Sequence, residues 1–330
     1  MNTDETWQWP RKTRELHNHH FDSTIWNDFD FRDDDIVIAT YAKSGTTWMQ
    51  QIVSQLLFEG EEGLEVAEMS PWLDLRVPPK AIKLPAAKAQ THRRFVKTHL
   101  PVDALVFSPK AKYLYIGRDG RDVAVSLYNH HASATEGWYR MLNDTPGRVG
   151  PPMPPPAASA GEAFDTWLAQ DGAPFWPFFS SVRSWWEIRH LPNVLFVHYA
   201  DLKRDLAGQM RRIADFLGIT LDAAQWAAAV EHCSFDHMRA HGQHTVPAGG
   251  AMWRGGAASF LHRGEAGRWR ELLTPDQAAA YERRAVLELG AECAQWLAQG
   301  AGPGEKTPLT LTRAAHHPGS PAAGDRVHRR

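Results

Sequence analysis

The chain has 330 residues, 43% of them hydrophobic, which is enough core material for one large α/β domain or two small ones. A net charge of −2 at pH 7 excludes a nucleic-acid binder held by bulk charge, so any anion site has to be local. Two cysteines, Cys233 and Cys293, exclude a disulfide framework and fit a reducing compartment.

The first 20 residues are polar and lack the apolar core of a signal peptide. No apolar run of about 18 residues marks a membrane span, so a cytoplasmic protein is expected. His17, His19 and His20 have the look of metal ligands but read as part of a solvated, flexible segment. Residues 36–41 read as a strand and 48–58 as a helix with apolar residues at helical spacing. Between them runs Tyr41-Ala-Lys-Ser-Gly-Thr-Thr-Trp48. A strand, a Gly-containing turn and a helix start make an anion cradle, because backbone N–H groups and the helix dipole converge there. Lys43 adds a full charge, and Ser44, Thr46 and Thr47 add short donors. This is not a Walker loop, since Lys43 precedes the only glycine.

Residues 94–97 read as a second strand, running into His99 and stopped by Pro101. A third strand, 113–117, ends at Arg118 and leads into a helix over 120–131. Arg118 and Arg121 each have an aspartate beside them, and ion pairing is the plainer reading for Arg121. The Pro-rich stretch 146–161 reads as an extended loop. A helix over 178–189, a strand over 194–199, and helices over 201–217 and 222–232 follow. Residues 248–258, rich in Gly and Ala around Trp253, read as mobile, and residues from about 300 as a disordered tail. The organisation predicted is an N-terminal segment (1–30), a single domain (31–299) and the tail (300–330). Strands alternating with helices predict an α/β fold with a central parallel sheet covered on both faces. Lys43, His99, Arg118 and Tyr199 then share the carboxyl edge, where ligands bind.

The loop from Tyr41 to Trp48 resembles the 5′-phosphosulfate loop of the cytosolic-type sulfotransferases. These move a sulfuryl group from 3′-phosphoadenosine-5′-phosphosulfate (PAPS) to an acceptor and release the desulfated nucleotide PAP. The resemblance runs from about residue 36 to 274 with its motifs in order, and suggests a bacterial member with a P-loop-like three-layer fold. It implies that Lys43, Ser44, Gly45, Thr46 and Thr47 hold the 5′-phosphate, with Lys43 also countering charge on the leaving oxygen. Phe95-Val-Lys-Thr-His-Leu-Pro101 is similar to the family's KTHLP segment, which makes His99 the general base and Lys97 an electrostatic support. Arg118 and Ser126 fall at the family's 3′-phosphate positions. Residues 260–269 resemble the RKGxxGDWK signature, which places Arg263 and Gly264 at the same phosphate. His262, Arg268 and Arg270 depart from that signature. Tyr199 falls where the family touches adenine. Residues 233–238 resemble a TSFxxM segment, so Ser234 and Phe235 join the nucleotide site and Phe235 faces Trp48 across the base. Cys233 stands where the family has threonine.

By the same resemblance Ser70-Pro-Trp-Leu-Asp74 puts Trp72 in an aromatic acceptor pocket. His130, Phe178, Phe179 and Trp253 are further candidates. The acceptor implied is a small hydroxylated molecule, phenolic or aliphatic, with an amine left open. No metal is implied. The family's dimer motif KxxxTVxxxE is broken at Pro275 and Ala279, which leaves the oligomeric state open. Two other readings are a P-loop-type nucleotide kinase and a catalytically silent PAPS or PAP binder. The first lacks its Walker lysine, and the second would be expected to lose Lys43 or His99.

Overall fold

Short runs of β-branched and aromatic residues form β1 (Ile36–Thr40), β2 (Phe95–Thr98), β3 (Lys112–Gly117) and β4 (Val194–His198). The computed structural model describes residues 7–301, and in it these strands make one parallel sheet in the order β2-β1-β3-β4. All but the first two residues of the expected tail lie outside the described residues. In register, Ile38 of β1 lies opposite Lys97 of β2 and Leu114 of β3.

Side chains alternate across the sheet, as the pleat requires. Val37, Ala39, Tyr113 and Tyr115 enter one buried cluster; Ile36, Ile38, Leu114 and Ile116 enter the other. The principal helices, in chain order, are α1 (Thr46–Leu57), α2 (Gly120–Ser133), α3 (Phe179–Glu187), α4 (Leu206–Leu217), α5 (Ala223–His232), α6 (Phe235–Ala240), α7 (Gly256–Leu261) and α8 (Pro275–Gln299). Apolar residues of α1, α4 and α5 cover the Ile38 face, and those of α2, α3 and α8 cover the Tyr113 face. The three-layer parallel α/β expectation is borne out.

Local chemistry explains where the elements depart from expectation. The stretch 201–217 is two helices, Tyr199–Arg204 and α4. Asp205 separates them and accepts the Gly208 N–H at 2.8 Å as an N-cap. Helix α8 has little amphipathic signal in sequence, yet Thr274 and Gln277 form a capping box and Pro275 takes the first turn. The Pro-rich stretch ends at Ser159, which caps a helix over Ala160–Ala169.

The N-terminal segment is not the solvated stretch expected from its polarity. Phe21, Ile25 and Trp26 are fully buried, and His19 and His20 are nearly so. Backbone bonds from Arg76 N to His20 O (2.7 Å) and from Asp22 N to Asp74 O (3.0 Å) dock it along residues 74–76.

The chain leaves β1 toward β2 and returns to β3 on the other side of β1. That reversal opens a crevice beyond the carboxyl ends of β1 and β3, and the loops carrying Lys43 and Arg118 both enter it.

Candidate active site

A cleft of about 290 Å³ fills that crevice. One wall is the turn from β1 into α1. Lys43 and Gly45 adopt positive φ (64° and 111°), which folds the chain back so that α1 begins at Thr46. The first-turn N–H groups of α1 have no carbonyl of their own helix to bond, so they point outward as donors. Gly45 is needed for a second reason: a Cβ there would press against the Tyr199 ring at 3.0 Å. Lys43, Gly45, Thr46, Thr47 and Trp48 all line the cleft, whereas Ser44 is buried behind them.

The Lys43 ammonium sits 4.0 Å from the centre of the Phe260 ring. Burial first, then Arg118 and Lys97, lower its pKa to about 7. Lys97 is pushed down to about 8, mainly by burial. A buried lysine and a half-buried one, both with lowered pKa values and facing one cleft, suit an anion.

His99 follows β2 and lines the same cleft. Its Nδ1 lies 2.8 Å from the Thr40 carbonyl oxygen and 2.9 Å from Thr40 Oγ1. A carbonyl only accepts, so Nδ1 carries the proton and Nε2 carries the lone pair. Nε2 has no hydrogen-bond partner among the described residues. Burial, reinforced by Lys97, holds His99 near 3, so the ring is neutral at neutral pH. A neutral imidazole with a free Nε2 beside an anion site accepts a proton.

Behind His99 lies Asp74, a fully buried carboxylate. It accepts from the Trp26 indole (3.1 Å), the Trp72 indole (2.7 Å) and the His99 backbone N–H (3.2 Å). Trp72 is thereby set edge-on to His99 with ring centres 4.6 Å apart.

An aromatic pocket opens on the His99 side. Trp72, Trp138, Phe175, Trp176, Trp253 and His20 line it. Trp176 is held there because Tyr41, just past β1, donates its hydroxyl to the Trp176 carbonyl at 2.6 Å. His20 lies among these rings, 5.5 Å from Trp176 and 5.9 Å from Trp72. His130 also lines the cleft, half-buried, with its Nδ1 buried and without a partner among the described residues.

Phe178 and Phe179 do not line the cleft. The first turn of α3 turns both into the core, where Phe178 packs edge-on to Tyr41 at 5.0 Å and Phe179 against Tyr281 at 6.0 Å. As acceptor-pocket candidates they are replaced by Trp176 and His20.

The other end of the cleft is cationic. Arg118 lies over the Tyr199 ring at 4.3 Å and donates to the carbonyls of Lys43 and Glu265, both at 2.9 Å. Its Nε is buried and has no partner among the described residues. Arg121 is instead ion-paired to Asp119 (2.8 Å) and Glu282 (2.6 Å), as its neighbours suggested. Ser126, on α2, lines both the cleft and a smaller polar cavity that continues from it.

The loop over 262–269 closes that cavity. Asp122 anchors it, accepting from Gly267 N at 2.6 Å and Trp269 N at 3.3 Å. His262 and Arg268 line the cavity, while Arg263 points to solvent. Of the two arginines, Arg268 and not Arg263 faces the cavity. A Cβ at Gly264 would sit 2.3 Å from the Phe235 ring, so only glycine lets this loop lie flat on that wall. Phe235, Tyr199 and Trp48 line the cleft between the two cationic ends. Trp48 is fixed by its indole N–H, 2.8 Å from the Cys233 carbonyl. Ser234 does not line the cleft; its hydroxyl caps α6 by accepting from His237 N.

Sequence reasoning missed His20, Asp74, Asp122, Trp176 and Arg268. Asp74, Asp122 and Arg268 lie inside the family-like segments, but none carries a signal for this role in the sequence.

Comparison with known proteins gives a consistent picture. A family profile described as the sulfotransferase domain matches residues 33–290. The chain is 32% identical to a glycolipid sulfotransferase of Mycobacterium bovis over 80% of this chain and 87% of that one. It is 33% identical to sulfotransferase 2B1 of Homo sapiens over 78% of this chain and 66% of that one. Among solved structures, retinol dehydratase with androsterone and inactive cofactor PAP superposes with a TM-score of 0.62 at 25% identity, covering 81% of this chain and 84% of that one. Mouse sulfotransferase SULT7A1 complexed with PAP gives 0.64 at 23%, covering 83% and 91%.

Proposed function

The chain belongs to the sulfotransferase family, and from that premise we propose that it moves the sulfuryl group of PAPS to a hydroxyl on an apolar acceptor, releasing PAP. The observation that carries this reading is the cleft itself. The free Nε2 of His99 sits between the Lys43 cradle and an aromatic pocket.

In this reading the α1 start and Lys43 bind the 5′-phosphate. Arg118, Ser126 and Arg268 bind the 3′-phosphate, and Trp48, Tyr199 and Phe235 enclose the adenine. His99 Nε2 takes the acceptor's hydroxyl proton as its oxygen attacks sulfur in line. The bond from sulfur to the 5′-phosphate oxygen breaks, and Lys43 and Lys97 counter the charge left on PAP. Donors of this kind contribute about 3–4 kcal/mol each to such a step.

The pocket favours an apolar alcohol. Among the described residues no carboxylate lines the cleft, so a protonated amine would meet Lys43 and Lys97 with no counter-charge. Tryptophan, phenylalanine and methionine side chains make the walls. Relatives point the same way: androsterone lies in retinol dehydratase, and the mycobacterial relatives are glycolipid sulfotransferases. Incubation with labelled PAPS and a panel of sterols, aliphatic alcohols, glycolipids, simple phenols and amines tests this. Sulfation of the apolar alcohols supports the reading, and sulfation of amines alone refutes it.

A thermal-shift comparison separates the reading from phosphoryl transfer. PAP is expected to stabilise the protein and ATP–Mg²⁺ is not.

A further inference from the structure

A second cavity, of about 320 Å³, lies on the far side of Met238 from the cleft, and Met238 lines both. Its walls are the second half of α1, the loop after it, and the α5–α6 junction. One ligand atom each from Glu62, His237 and His241 lie within 4.8 Å of one another there. His237 and His241 are four residues apart at the end of α6 and share one face, their rings 4.2 Å apart. His241 donates its Nδ1–H to the His237 carbonyl at 3.1 Å, which leaves the lone pair on Nε2.

A third imidazole stands beside this pair. The His232 ring is 4.5 Å from that of His237. Its Nδ1 donates to Gln55 Oε1 at 3.0 Å, and the Gln55 amide is oriented by its own bond to the Glu61 carbonyl. His232 Nε2 therefore also bears a lone pair. Two imidazoles in the ligating tautomer or free to adopt it, with one carboxylate, are a donor set that a first-row divalent ion takes, with His232 packed beside them. Zinc–ligand bonds are about 2.0–2.2 Å, so the three ligand atoms, all within 4.8 Å of one another, have to converge on one ion. Glu62 is exposed, so its carboxylate can change rotamer toward the two imidazoles without breaking the His241 bond to the His237 carbonyl. Sulfuryl transfer uses none of these residues.

We propose that Glu62, His237 and His241 bind a divalent ion of the zinc class, joining the loop after α1 to helix α6. That helix carries Phe235 and Met238 into the nucleotide cleft, so the ion would fix the position of one cleft wall.

The test is Zn²⁺ equilibrium dialysis with parallel thermal melts on the full chain. His316, His317 and His328 lie outside the described residues, so two variants are compared with wild type. One is His237→Ala/His241→Ala; the other is His316→Ala/His317→Ala/His328→Ala. Wild type and the second variant should each bind one more ion per chain than the first, and Zn²⁺ should raise their Tm but not that of the first. Equal uptake by wild type and the His237/His241 variant overturns the proposal. So does a Tm shift that disappears only when the tail histidines are removed.

Discussion

The Nδ1 of His99 lies 2.8 Å from the backbone carbonyl of Thr40, the last residue of β1. The Thr40 hydroxyl is also 2.7 Å from that of Thr46, the first residue of α1. One strand end thus sets the tautomer of the proposed base and touches the start of the proposed phosphate cradle. The proposed base and the start of the proposed cradle are both tied to one sheet edge.

If His99 takes the acceptor proton, His99→Ala should lower kcat by about 10²–10⁴-fold. PAP affinity should stay near that of wild type, since the ring faces the acceptor side. Steady-state rates with labelled PAPS and calorimetric titration with PAP check the two halves separately.

Lys43 gives a pH signature. Burial, Arg118 and Lys97 lower its pKa to about 7, so its charge is present below that pH and lost above it. A bound 5′-phosphate favours the charged form. PAP binding at pH 8 should therefore take up protons, and affinity should fall as pH rises from 6 to 9. At pH 6 Lys43 is already charged and contributes no uptake. Titrations in buffers of different ionisation enthalpy read this directly, and heats independent of buffer at pH 8 would contradict it.

Asp74→Ala should destabilise the fold as well as slow the reaction. Two buried donors, the Trp26 indole and the His99 N–H, and the half-buried Trp72 indole lose their acceptor, at about 1–3 kcal/mol for each buried donor left unsatisfied. Urea unfolding should show a lower midpoint with little change in slope. Asp74→Asn keeps one oxygen and should lose less.

At the cationic end proposed for the 3′-phosphate, Arg268→Ala should weaken PAP binding more than Arg263→Ala, because of the two only Arg268 lines the polar cavity. Gly264→Ala should weaken it too, by forcing the Phe235 ring off its wall. Calorimetric Kd values for the three variants rank them.

Much of this was legible in the sequence, and the reasons differ by residue. The four strands could be read from their β-branched runs, and the Lys43 loop from a short, contiguous chemistry of glycine, lysine and hydroxyls. His99, Arg118 and Tyr199 were legible because each follows directly on a strand. His20 and Trp176 were not, because long-range bonds from Arg76 and Tyr41 bring their segments to the pocket. Phe178 and Phe179 misled because a helix start beside the pocket turned them into the core. Arg263 and Arg268 could not be told apart, since positive φ at His262, Gly264 and Gly267 decides which basic side chain faces inward.

The most direct test of the central claim is sulfate transfer from radiolabelled PAPS to an apolar alcohol, measured for wild type and His99→Ala with PAP binding checked in both. Labelled product from wild type, a loss of about 10²–10⁴-fold in the variant, and equal PAP binding are the result predicted. Near-native turnover by His99→Ala, or stabilisation of the wild type by ATP–Mg²⁺ and not by PAP, would contradict the account.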